Sequence, residues 1–340
     1  MTTKVIAFFN NKGGVGKTSL VYHIAWMMTE LELRVVAADL DPQGNLSAAF
    51  LDEDKLEELW PENTHPATMY GAVRPLKRGV GDVSNPLLVS ISSQLALIPG
   101  DMGLSEFEDD LSQVWPKCLD GDERAFRVIS AFWRVLQKGA DAHQADVILV
   151  DLGPNLGAIN RAALIASDFV VIPLGPDLFS LQGLRNLGPS LRDWRQGWQE
   201  RLAKNPVGGD LTLPLGAMKP IGYIVMQHSV RRDRPVKSYD KWIARIPDTY
   251  RRYVLQQDTA GTDVPTVVHD PHCFALLKHY RSLMSMAQEA RKPMFFLKPA
   301  DGALGAHTYA VQDAYSDFKV LTEKVVEHTH IATAQVGQTV

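Results

Sequence analysis

A mostly parallel, doubly wound α/β sheet flanked by helices is the fold this sequence predicts, and three observations predict it. Short apolar runs recur at 4–9, 34–40, 146–152, 168–174 and 220–226. They are apolar on both faces, as strands buried under helices on either side must be. Between them lie stretches with helical patterning near 17–32, 103–115, 123–138, 157–167 and 178–199. Finally, polar, glycine-rich or acidic residues follow the runs at 4–9, 34–40 and 146–152. Ligands of open α/β sheets bind at the carboxyl ends of the strands, where these clusters stand.

Each element has its own signal. KVIAFF (4–9) is a buried strand stopped by two asparagines, a lysine and paired glycines. RVVAADL (34–40) and DVILVDL (146–152) are strands of one type, each apolar until it ends in an aspartate. DFVVIPL (168–174) and PIGYIVM (220–226) complete the set. Residues 51–86, mixed and proline-containing, read as an insertion, and 202–219 as a loop rich in turn formers. Residues 229–282 are a second insertion, long, basic and aromatic. Val311, Ala314, Phe318, Leu321 and Val325 form one stripe at helical spacing, better suited to packing on the sheet than to a membrane surface. Residues 329–340 are small and polar and read as a frayed tail. No repeat or clean linker appears, so the expectation is one domain over 1–328.

Composition narrows the function classes. Apolar residues are 45% and charged residues 22% of the 340, which argues against a disordered or fibrous chain. A net charge of −4 argues against a wholly basic nucleic-acid binder but allows a local basic patch. The two cysteines, Cys118 and Cys273, make neither a disulfide framework nor a CxxC site. His269, His272 and Cys273 sit together in HDPHC, but no fourth ligand stands at a zinc spacing, and a packing role is preferred. The first apolar run is too short for a signal-peptide core, so the cytoplasm is the expected compartment.

The strongest motif is NNKGGVGKT, residues 10–18, between a strand and a helix. Gly13, Gly14 and Gly16 permit backbone geometries that point successive N–H groups at phosphate oxygens. The helix starting near Lys17 adds its positive dipole end. Lys17 reaches β- and γ-phosphates in such a loop, and the Thr18 hydroxyl ligates Mg²⁺. The common pattern G-x-x-x-x-G-K-[ST] needs glycine where Asn11 stands, and Lys12 is an additional cation before the paired glycines. The loop resembles the deviant phosphate loop, K-G-G-x-G-K-[ST], of the ParA/MinD family of dimerising ATPases. The resemblance implies that Lys12 crosses a dimer interface to the partner's nucleotide. It gives Lys12, Gly13, Gly14, Val15, Gly16, Lys17, Thr18 and Ser19 as ATP-binding residues, with Lys12, Lys17 and Asp41 as the catalytic set.

Two further stretches extend the resemblance. DLDPQGN (39–45) matches the family's first switch, D-x-D-P-Q-G-N, at every fixed position. It implies that Asp41 orients the attacking water or holds water on Mg²⁺, that Pro42, Gln43 and Gly44 move with the γ-phosphate, and that Asp39 supports the strand end. DLGPNLG (151–157) resembles the second switch, D-C-P-P-S-L-G, at Asp151, Pro154, Leu156 and Gly157. Asp151 is then the carboxylate gripping Mg²⁺ through water, alongside Thr18 and Asp41. Gly153 and Pro154 belong to this switch, and Gly153, in place of a proline, is expected to loosen it. Residues 98–111, 159–187 and 287–297 also resemble family segments, so the likeness covers about two thirds of the chain. In the family the nucleotide base sits near the last of these.

Residues 231–252 carry a net charge of +5, with Tyr239, Trp242 and Tyr250 interleaved and Tyr253 directly after. Lysine and arginine clusters bind phosphates by counterion release. Arg231, Arg232, Arg234, Lys237, Lys241 and Arg245 are the expected DNA-binding residues, with Arg192, Arg195 and Arg201 as an extension; the alternative is a solvated face. The resemblance, closest to the ParA branch, implies a Mg²⁺-dependent ATPase that forms an ATP-sandwich homodimer. It further implies binding of non-specific double-stranded DNA, partition of a plasmid, chromosome region or other cargo, and a ParB-like activator. The protein is then cytoplasmic, associated with the nucleoid when ATP-bound, and without membrane attachment. With the phosphate loop so near the start, no DNA-reading N-terminal domain and no sequence-specific autorepression are expected. Two other outputs fit the same fold: an ATP-switched regulator acting through protein contacts, and a metabolic ATP-dependent amidase, ligase or synthetase.

Overall fold

The computed structural model describes residues 2–61, 67–206, 208, 211–226, 241–280, 282–303 and 305–332. Its strands are β1 (Lys4–Phe8), β2 (Val35–Asp39), β3 (Val89–Ser90), β4 (Leu95–Ile98), β5 (Val147–Asp151), β6 (Phe169–Leu174), β7 (Lys219–Met226) and β8 (Cys273–Leu277). They form one sheet in the order β3-β4-β2-β5-β1-β6-β7-β8. Every pairing is parallel except the short edge pair of β3 with β4. The expected fold class is therefore the observed one.

Alternation along β1 shows why both faces need cover. Val5, Ala7 and Phe9 join one buried cluster, Ile6 and Phe8 the other. Helices α1 (Lys17–Glu30) and α2 (Asn45–Phe50) lie on the Ile6 side, with α3 (Glu53–Leu59) following α2. The Val5 side is covered by α4 (Met69–Lys77), α5 (Phe107–Lys117), α6 (Glu123–Ile129), α7 (Ala131–His143), α8 (Ala158–Ile165) and α9 (Leu178–Leu202). A short helix, α10 (Ile246–Thr249), runs into a π-helical turn, Tyr250–Leu255, that packs on α9. The contact is close: a Cβ on Gly188 would stand 1.9 Å from the Tyr253 carbonyl oxygen. Two last helices, α11 (Ser282–Ala290) and α12 (Ala306–Thr329), return to the Ile6 side.

Some expectations need correction. The helix expected over 123–138 is two helices, α6 and α7, parted at Ser130, whose hydroxyl bonds back to the Phe126 carbonyl at 2.7 Å. Residues 229–282 are not wholly an insertion, because CFALL within them is β8, paired with β7 and burying Phe274. The tail begins later than 329, since Thr329 is buried at the end of α12 with its hydroxyl on the Val325 carbonyl. Ala314, Phe318, Leu321 and Val325 of the C-terminal stripe are buried in the core and Val311 packs on its margin, as expected of a helix on the sheet. His272 packs on Tyr250, and Cys273 opens β8.

Candidate active site

Three adjacent strands bring the three motifs together. β5 lies between β2 and β1, and the register sets Asp151 level with both Asp39 and Phe8. The loops after these strands therefore leave the sheet side by side. Asn10, which sequence reading left without a role, anchors the first loop. Its amide donates to the Pro173 carbonyl at 2.6 Å, and its Oδ1 accepts from the Lys12 N–H at 2.9 Å. Gly16 enters α1 in the left-handed region, at φ 84°, where a side chain is disfavoured. A Cβ there would also stand 2.9 Å from Met226 Cε.

Lys17 and Thr18 open α1. Lys17 is buried, and burial pulls its pKa below the ordinary lysine value while Asp151 and Asp41 oppose the shift. The Thr18 hydroxyl donates to Asp151 Oδ2 at 2.6 Å. Asp151 is fully buried, and its other oxygen, Oδ1, has no hydrogen-bond partner. Burial, then the neighbouring Asp39, pushes the Asp151 carboxyl up to about 8. A hydroxyl, a carboxylate with one oxygen free and the nearby Asp41 suit a hard cation that takes oxygen ligands, so the residues fit Mg²⁺.

The first switch is a tight turn. Asp41 is largely buried; its Oδ1 accepts from the Gln43 N–H at 3.0 Å, and its carbonyl accepts from the Gly44 N–H at 2.9 Å. Asp39 supports the strand end as expected, accepting from both the N–H and the hydroxyl of Ser47. In the second switch, Gly153 brings its backbone against Asp41: a Cβ there would lie 3.2 Å from Asp41 Oδ1. A side chain hydrogen-bonds this loop on both sides of Pro154. Asn160 donates to the carbonyls of Gly153 and Asn155 at 2.9 and 2.7 Å. Glu108 accepts from the Ala158 and Ile159 N–H groups at the start of α8, compensating orphan donors there.

Gly13 to Ser19, Asp41, Gln43 and Pro154 line a cavity of about 800 Å³. Lys12 is absent from that lining. Its ammonium pairs with Asp177, the N-cap of α9, and lies 5.9 Å from the centre of the exposed Phe179 ring. The far wall holds residues not assigned from sequence: Tyr22, His23, Asn45, Ala48 and Ala49, then Met284, Ala287, Gln288 and Lys292 from or just after α11. His23 joins these walls. Its Nδ1–H donates to the Ser19 carbonyl at 2.7 Å, and its Nε2 accepts from the Met294 N–H at 3.1 Å. The spacing of 284, 287 and 288 is one helical face, a visible signal, but nothing local says which helix it meets.

The basic window divides. Arg231, Arg232, Arg234 and Lys237 lie outside the described residues. Lys241 and Arg245 are exposed, stacked over Trp242 at 5.1 and 5.6 Å. Arg251 is engaged by Asp270 and Arg252 by Asp248. Arg195 and Arg201 do not extend the patch. Arg195 donates to the Ala217 and Met218 carbonyls, and Arg201 lies 3.7 Å over the Trp115 ring and donates to the Trp115 and Gly197 carbonyls. Arg192 donates to the Tyr253 carbonyl at 3.4 Å.

The sheet and its loops are those of a phosphate-loop NTPase. Residues 3–204 match the family described as AAA domain, and the chain belongs to it, within the ParA/MinD group, whose members in general hydrolyse ATP. Protein IncC of Escherichia coli is 32% identical over 196 residues, 57% of this chain and 47% of that one. The chromosome partitioning protein ParA of Myxococcus xanthus is 29% identical over 195 residues, 57% of this chain and 60% of that one. The matched region thus spans about half the length of these curated relatives. Among solved structures, a variant of Cyanothece McdA in complex with ATP superposes with TM-score 0.62 at 16% identity, over 99% of both chains. A putative plasmid partition protein of Borrelia burgdorferi bound to AMPPNP gives 0.56 at 17% identity, over 96% of this chain and 99% of that one. At such identities the likeness shows the fold. No helix among the described residues is long and apolar enough to cross a membrane.

Proposed function

We propose that this chain is a Mg²⁺-dependent ATPase that dimerises on ATP, binds non-specific double-stranded DNA as that dimer, and so partitions or positions a plasmid, chromosome region or other cargo. One observation carries the reading: the phosphate loop, Asp41 and Pro154 of the two switches, and the face of α11 line a single cavity. That cavity can take a nucleoside triphosphate with a switch at its γ-end and a base against α11. A relative named for chromosome partitioning and a structural neighbour named for plasmid partition and bound to AMPPNP support the same reading, and the McdA neighbour holds ATP.

The roles follow from position. Gly13 to Ser19 would wrap the phosphates with N–H groups, and Lys17 would neutralise them from a buried site where its charge is strongly felt. Bound Mg²⁺ would supply charge stabilisation for the leaving and transferring oxygens. Thr18 and Asp151 would hold it, and Asp41 would orient water. Preorganised electrostatics of this kind account for most phosphoryl-transfer catalysis. Lys12 would have to leave Asp177 to reach a partner's nucleotide. A ParB-like activator would trigger hydrolysis and end DNA residence, with the protein in the cytoplasm and on the nucleoid. Lys241 and Arg245 are the described members of the DNA surface. The test is binding of the Asp41→Ala protein to random-sequence duplex DNA with ATP, with ADP and without nucleotide, at two salt concentrations. ATP-dependent, salt-sensitive binding is expected. A confirmed ATP dimer without DNA binding would transfer the assignment to a switch acting through protein contacts.

A further inference from the structure

A chain of hydrogen bonds ties the first switch to Trp60, a residue in the stretch 51–86 that follows α3. The Trp60 Nε1–H donates to the Gly100 carbonyl at 2.9 Å. The Gly100 N–H donates to Ser47 Oγ at 2.8 Å, and the Ser47 hydroxyl donates to Asp39 Oδ2 at 2.8 Å. Asp39 Oδ1 then accepts from the backbone N–H of Asp41 at 3.2 Å. Ser47 and Asp39 are fully buried, so water does not compete for the inner bonds.

Close packing follows the same line. A Cβ on Gly100 would stand 2.7 Å from Asp39 Cγ. The Trp60 ring covers Gly44 so closely that a Cβ there would meet it at 3.1 Å. Gly44 sits at φ 66°, where the switch turns into α2. The ring therefore presses on the turn while the indole N–H holds the backbone behind it. None of Trp60, Gly100, Ser47 and Asp39 lines the nucleotide cavity.

We propose that Trp60 and Ser47 are positioning residues for Asp41, and that the segment carrying Trp60 sets the hydrolysis rate by holding the first switch. This rests on the assignment of Asp41 to hydrolysis. A water-orienting carboxylate must be placed within tenths of an ångström, and its backbone is held here by residues outside the cavity lining. Loosening the chain moves Asp41 without touching a phosphate contact, so the loss falls on kcat and not on KM.

Steady-state ATP hydrolysis by the full chain tests this, with Trp60→Phe, Ser47→Ala, the double variant and Asp41→Ala compared with wild type. Trp60→Phe removes the indole N–H together with the distal ring edge, Cζ2 and Cη2, that covers Gly44, so it cuts both contacts Trp60 makes along this chain. Each single variant is expected to lower kcat about three- to tenfold with KM changed less than about twofold, and the double to be no slower than the worse single, since one chain is cut once. Wild-type kcat in Trp60→Phe, or losses in the double that add and raise KM, would overturn the proposal. Loss of turnover in Asp41→Ala beside an unaffected Trp60→Phe condemns the hydrogen-bond chain alone. Full turnover in Asp41→Ala condemns the assignment of Asp41, and the proposal with it.

Discussion

His23 is the group whose titration this structure predicts most sharply. It is fully buried between α1, Phe295 and Phe318, stacked on the Phe318 ring at 4.9 Å. Its ring is committed to one neutral form, donating from Nδ1 to the Ser19 carbonyl and accepting at Nε2 from Met294. Burial lowers its pKa from the ordinary 6.5 to about 4. The unfolded chain therefore takes up the proton first as pH falls. The stabilisation is fully present above the ordinary value and is lost between about 6.5 and 4. From pH 7 to pH 5 the loss is about 2 kcal/mol, at about 1.4 kcal/mol per unit. Raw stability will not show it. The carboxyls of Asp151 and Asp39, raised to about 8 and about 6, titrate with the opposite sign over much of the same range. The difference between wild type and His23→Leu isolates the term, because the two carboxyls are common to both. Urea unfolding without nucleotide should find the stability gap, taken as wild type minus variant, about 2 kcal/mol lower at pH 5 than at pH 7. A gap that is constant, or that is higher at pH 5, would refute a buried neutral His23 joining the phosphate loop to the segment after α11.

Three more outcomes are expected. Lys17→Ala should abolish ATP binding in equilibrium dialysis or fluorescence titration, and unchanged binding would remove the phosphate-loop assignment. Asp177→Asn keeps an N-cap for α9 while removing the charge that engages Lys12. The pair is partly exposed and worth about 1 kcal/mol, and a homodimer opens two of them, so ATP-dependent dimerisation measured by sedimentation should strengthen about thirtyfold if Lys12 must leave Asp177 to cross. Unchanged dimerisation would show that the pair opposes nothing. Neutralising Lys241 and Arg245 together, which removes four charges from the dimer, should flatten the salt dependence of DNA binding by up to about four units of slope, and an unaltered slope would place the DNA surface elsewhere.

Much of the candidate site was legible because its chemistry is local. A phosphate loop must carry its glycines and lysine consecutively, between one strand and one helix, so 10–18 showed itself whole. Asp41 and Asp151 stood out because each ends or follows an apolar strand. Lys12 was legible as a residue but not as a conformation: its pairing with Asp177 depends on β6 and α9 lying beside the loop. Arg195 and Arg201 misled for a related reason. A sequence shows that a guanidinium is present, whereas only packing shows that carbonyls and the Trp115 ring have taken it.

The fold divides in the same way. Strands apolar on both faces announced a covered parallel sheet, because no other setting removes both faces from water. The pairs β3–β4 and the edge strand β8 were not announced, since two to five residues give too short a pattern to separate strand from loop. By itself, then, the sequence determined the fold class, the phosphate loop and the two acidic strand ends, which are written in contiguous residues. Only the tertiary structure decided that α11 forms the far wall of the cavity, that His23 binds that wall to α1, and that Trp60 is hydrogen-bonded through to Asp41. Those links join residues tens to hundreds of positions apart, and their geometry exists only once the sheet has set its register and the helices have packed against it.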